Sequence, residues 1–159
     1  MDIADEIETW IDKISKRYSE NTISCASIYD HLRGCYSLNF LEKCRYVVVD
    51  RIPRPEINLP EFYDFLTMDI EGITYKNLYF LKSGCEDNIA LHLHELVHVA
   101  QWELLGANSF INRYITELKV YGYDEAPLEK MAYYAQTRFE MNNEINDIPA
   151  WVSKSLALK

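Results

Sequence analysis

Glycine and proline are both scarce, at 5 each in 159 residues, which excludes collagen-like and Pro/Gly-rich disordered chains. Cysteine is present at only Cys25, Cys35, Cys44 and Cys85, with no CxxC pair. A chain of this size folds without disulfide staples, so the four are expected as free buried thiols. No apolar run approaches the roughly 20 residues of a membrane span, and the acidic start MDIADEIETW lacks the basic and apolar regions of a secretory signal. A cytoplasmic protein without a membrane partner is expected. Positive charge is in short supply, with 16 Lys and Arg against 25 Asp and Glu, a net charge of −9. Such a surface repels phosphate backbones, so nucleic acid is not expected as a partner. There is no internal repeat and no Gly-rich phosphate loop.

What remains is a chain 48% apolar and 13% aromatic, enough for one core and one domain spanning residues 1–159. Helical spacing of Ile3, Ile7, Trp10, Ile11, Ile14 and Tyr18 predicts a first helix from Ile3 to Ser19. A shorter helix is expected over Ser24–Arg33, stopped by Gly34, then a strand over Cys44–Val49. RIPRPEINLPEF, with three prolines, reads as an irregular connection. Ile73–Leu81 reads as one further strand. Helices follow from Glu86 to Leu105, from a Ser109 cap to Gly122, from Pro127 to about Phe139, and from Asp147 to Leu158.

The first of these late helices carries His94, Glu95, Leu96, Val97 and His98, an H-E-x-x-H motif. Residues four apart share a helix face, so two imidazoles can grip one metal ion while the intervening carboxylate points at its open coordination position. Zinc lowers the pKa of a bound water towards about 7, and Glu95 is placed to act as general base. At about 100° per residue, His94 and His98 lie with Leu91, Gln101 and Leu105 on a mostly apolar face. Asn88, His92, Val99 and Glu103 fall on the opposite side, so His92 is expected to be an exposed bystander.

A catalytic zinc takes a third protein ligand. Glu129, two residues after Pro127 in the first turn of a helix, is favoured over Glu125, Glu117 and Asp124, with His31 as a further candidate. Ala132 and Ala135 continue the Glu129 stripe and would let two helices approach closely. Gln101, one turn past His98, reads as a packing or ligand-orienting residue. Oxyanion stabilisation needs a donor, and Tyr121 and Tyr123 are the candidates, with Tyr114 also in the stretch between the ligands.

The string HELVHVAQW, followed after some 30 residues by YGYDEAPLEKMAYYA, resembles the compact gluzincin-type zinc metallopeptidase domains. In these an H-E-L-x-H-x-x-Q-W helix precedes a Tyr-rich turn and a Pro-x-Glu helix. The resemblance covers roughly Ile73 to Gln136 and does not extend to the first 70 residues. It implies His94, His98 and Glu129 as zinc ligands and Glu95 as the base. It also implies a mostly helical, zincin-like α+β domain with a small twisted sheet, a metal-binding core over about 73–140, and an edge strand within ITYKNLYFL along which a peptide or protein substrate adds. Two positions depart from the pattern. Ala126 stands where related domains often have an Asn helix cap. Tyr133 stands where thermolysin-like enzymes have an acidic residue orienting a histidine.

The function expected is zinc-dependent peptide hydrolysis. The alternative keeps the metal but makes the domain a binding or assembly module or a latent enzyme; a helical interaction domain with a coincidental motif is the third reading.

Overall fold

Helix α1 (Ile3–Arg17) starts where the Asp2 carboxylate accepts from the Asp5 amide, and it buries Ala4, Ile7, Ile11 and Ile14. The buried positions follow the apolar spacing, so local sequence and packing agree at this end of the chain. The computed structural model describes residues 2–157. The architecture is α+β, seven helices around a four-stranded sheet among the described residues.

Strands β1 (Ile23–Ser24), β2 (Arg45–Val49), β3 (Gly72–Tyr75) and β4 (Leu78–Lys82) lie in the order β1-β2-β4-β3. β2 pairs parallel with β4, while β1 and β3 pair antiparallel with their neighbours. The expected single strand over Ile73–Leu81 is therefore a hairpin, with Ile73 opposite Phe80 and Thr74 opposite Tyr79. Its turn carries no glycine. Lys76 takes the left-handed position at φ 61, and its ammonium is held by Glu8 at 2.7 Å and Asp12 at 3.1 Å. The turn is Lys76-Asn77, and with lysine where glycine ordinarily takes φ > 0 its local signal is weak. Of the two hairpin strands, β3 is at the sheet edge and β4 is interior.

The Ser24–Arg33 helix is a 3₁₀ segment over Cys25–His31, capped by the Ser24 hydroxyl. Two single-turn helices, α2 (Leu38–Glu42) and α3 (Tyr63–Thr67), are too short for periodicity to reveal. Between β2 and α3 the proline-rich stretch is irregular up to a 3₁₀ turn at Pro60–Phe62, as expected.

Helix α4 (Ile89–Leu105) is the axis of the domain, with every side chain from Ala90 to Trp102 buried. It packs against β3 and β4 on one side and against α5 (Ala107–Tyr121), α6 (Pro127–Glu140) and α7 (Ile148–Ala157) on the others. A helix enclosed on all sides has no solvent face, which overturns the exposed placement of His92 and Val99; His92 is completely buried. Its Nδ1 meets the Tyr79 hydroxyl at 2.7 Å and its Nε2 the Glu86 carbonyl at 2.8 Å. Gly106, at φ 80, ends α4 and leads directly into α5, so Ser109 lies inside the first turn and caps nothing. Ala132 and Ala135 of α6 are buried, and α6 packs against α4. The expected end of α7 at Leu158 lies outside the described residues.

All four cysteines are free; Cys25, Cys35 and Cys44 are buried, and Cys85 is only half-buried. No helix among the described residues is long and apolar enough to cross a membrane.

Candidate metal centre

α4 presents His94 and His98 on successive turns, and the first turn of α6 brings Glu129 across to both. Glu129 Oε1 lies 3.3 Å from His94 Nε2 and 3.1 Å from His98 Nε2. One ligand atom from each of the three residues falls within 4.8 Å of the others, and all three side chains are buried. The far side of each ring is held as well. His94 Nδ1 bonds to Gln136 Oε1 at 2.9 Å, and His98 Nδ1 to Gln101 Oε1 at 2.8 Å. Gln101 also donates through Nε2 to the Leu128 carbonyl at 3.1 Å, which fixes its amide with the oxygen towards the ring. Each ring is thus held through Nδ1 and turns its Nε2 towards the Glu129 carboxylate, the orientation a metal-ligating histidine needs.

The donor set fits a divalent cation: two imidazole nitrogens and a carboxylate oxygen converge among buried side chains. Without a cation the same atoms hold protons. Burial alone would lower His98 and raise Glu129, but their mutual attraction and hydrogen bonding outweigh it. His98 is lifted to about 9 and Glu129 is held well below the usual carboxylate range, with His94 also contributing.

Glu95 stands beside this set and outside it. Its Oε2 is 3.9 Å from His94 Nε2, while Oε1 accepts from the Thr74 hydroxyl of β3 at 2.8 Å. Burial pushes the Glu95 carboxyl up, with the two histidines pulling the other way. Gly72 explains how β3 comes so close: a Cβ there would sit 2.9 Å from Glu95 Oε2 and 3.2 Å from the Phe80 carbonyl.

The remaining candidates separate clearly. Tyr123 is half-buried at the cleft beside Glu95 and Glu129, its hydroxyl 3.5 Å from that of Tyr133. Tyr121 is 55% exposed and lines a surface depression with Pro127 and Lys130, so it is not brought to the cleft. Tyr114 donates to Glu129 Oε2 at 2.7 Å. His31, Asp124 and Glu125 are exposed, Glu125 pairing with Lys130, and Glu117 is buried but bonded elsewhere. Tyr133 lays its ring edge-on to His94, centroids 4.6 Å apart, and the side chain that holds the His94 ring at Nδ1 is Gln136.

Thr74, Gly72 and Gln136 were not among the residues singled out from the sequence. Gln136 follows Glu129 by two helical turns and so shares its face; Thr74 and Gly72 carry no comparable signal, because their role depends on the hairpin register. An apolar cavity opens from the site, walled by Ile11, Phe65, Ile73, Phe110 and Ile111. No protein-family model, curated protein or solved structure matches the chain.

Proposed function

We propose that the protein is a zinc-dependent metallopeptidase of the compact gluzincin type, with His94, His98 and Glu129 as ligands and Glu95 as general base. The observation that carries this reading is the position of Glu95: a buried carboxylate fixed by Thr74, adjoining the ligand set without joining it. A closed structural site has no use for such a group. Zinc, when bound, lowers the pKa of a water at its fourth position and polarises a carbonyl oxygen. Glu95 Oε2, on the side not bonded by Thr74, accepts the proton from the attacking water and later delivers it to the leaving amine. Tyr123 supplies a hydroxyl at the cleft for developing oxygen charge. β3 is the sheet edge beside Glu95, suited to receive an extended peptide through main-chain hydrogen bonds.

A second reading, a latent enzyme or a metallopeptidase-like interaction module, draws support from one feature. The proline-rich segment occupies part of the wall of the apolar cavity through Pro55 and Ile57, and its Pro53 carbonyl accepts from the Tyr75 hydroxyl at 2.7 Å. Cleavage of a mixed peptide library by zinc-loaded parent and Glu95→Gln separates the two. The peptidase reading requires cleavage by the parent and a loss of roughly 10²–10⁴-fold in the variant. Equal cleavage by both removes Glu95 as the base, and no cleavage by either, with zinc bound in both, favours the module.

A further inference from the structure

Helix α6 begins without a cap of its own. Ala126 holds the N-cap position at φ −59 and ψ 125 and offers no side-chain acceptor. Pro127 has no amide hydrogen, so the first donor of the helix is the amide of Leu128, a residue with no solvent exposure. A buried donor in that place needs a partner, and it finds one on another helix: Glu117 of α5 accepts from the Leu128 amide through Oε1 at 2.8 Å. Glu117 is itself buried, and Arg113, one turn earlier, donates to its Oε2 at 3.0 Å.

Leu128 is thereby held at both ends of its backbone, its amide by Glu117 and its carbonyl by Gln101, the residue that also orients His98. The next residue is Glu129. Its carboxylate takes a hydrogen bond from Tyr114, three positions before Glu117 on the same face of α5. One face of α5 therefore grips the first turn of α6 twice, once at the backbone and once at the ligand.

We propose that Glu117 is a positioning residue: a helix cap supplied in trans, which stands in for the capping side chain Ala126 lacks and sets the entry of α6 so that Glu129 reaches His94 and His98. The proposal rests on the metal-centre reading. It assigns Glu117 no contact with metal or substrate, and a negative charge at a helix N-terminus suits the dipole there.

The test replaces Glu117→Met, which keeps the volume and removes the acceptor, and combines it with Ala126→Ser, which adds one oxygen able to accept from the Leu128 or Glu129 amide. Two quantities are measured: exchange of the Leu128 amide in the metal-free protein, and zinc affinity by competition with a chromophoric chelator. Glu117→Met should speed the exchange and weaken zinc binding by about 10–100-fold, the range for outer residues that orient ligands. The double variant should recover both. If Glu117→Met alone fails to fold, the double variant must fold and bind zinc; its failure to do so overturns the proposal. Unchanged exchange and affinity in Glu117→Met, with zinc bound by the parent, also overturns it while leaving the metal centre intact. A parent that binds no zinc overturns both.

Discussion

The Tyr114 hydroxyl donates to Glu129 Oε2 at 2.7 Å across the α5–α6 contact, while Glu129 Oε1 faces the two histidines. The two oxygens of one carboxylate are thus divided, one turned to the candidate metal position and one to a neutral donor that holds the group in place. This makes Tyr114 a residue that orients a ligand. Tyr114→Phe should weaken zinc affinity about 10-fold or more with little change in fold, whereas Tyr121→Phe, on the exposed end of α5, should leave it unchanged. Chelator competition on the two variants checks this, and equal affinities would remove Tyr114 from the site.

Gly72 fixes how closely β3 can lie on α4. A methyl group at 2.9 Å from Glu95 Oε2 and 3.2 Å from the Phe80 carbonyl meets a side chain on one side and unyielding backbone on the other, so Glu95 must be displaced. Gly72→Ala should cost about 1–3 kcal/mol of stability, as overpacking does, and reduce any peptide cleavage while zinc content stays at the parental level, since Gly72 touches no ligand. Thermal melting, elemental analysis and the peptide assay on one preparation give all three values. Full activity in this variant would show that the Glu95 position is not critical.

The metal-free protein should depend on pH with a definite sign. His98 titrates at about 9 in the folded state against an ordinary 6.5, so its contribution to stability is complete below pH 6.5 and is lost as pH rises through 9. Glu129 is depressed from 4.5; its contribution is present above 4.5 and is lost only as pH falls through its lowered value. Glu95, raised by burial from 4.5, adds a loss of the same sign as His98 above its ordinary value. Melting temperature should therefore fall between about pH 6.5 and 9 in chelator-treated protein. Zinc should reverse the trend, because its ligands bind in deprotonated form. A flat profile in the metal-free state would contradict the charge arrangement.

Much of this arrangement was legible in the sequence, and the exceptions share a cause. His94, Glu95 and His98 stand out because helical spacing alone puts them together, and Glu129 because a proline marks the start of its helix. Periodicity places residues on faces but does not say how many faces a helix buries, which is why His92, enclosed by Tyr46 and Tyr79, read as exposed. The hairpin at Lys76 has only a weak local signature, because its left-handed residue is a lysine held by long-range ion pairs with α1 and not a glycine. Thr74 and Gly72 depend on that hairpin, and Glu117 on the packing of α5 against α6; contacts of this kind exist only once the chain has folded.

The coordination shell of zinc in the loaded protein tests the central claim most directly. X-ray absorption at the zinc edge should show light-atom scatterers only, with two imidazole nitrogens at about 2.0–2.1 Å and a carboxylate oxygen at about 2.0–2.2 Å. The imidazole signal should be halved or the zinc lost altogether in His94→Ala. A sulfur scatterer near 2.3 Å, or an edge spectrum that His94→Ala and Glu129→Ala leave untouched, would place the metal elsewhere and contradict the account.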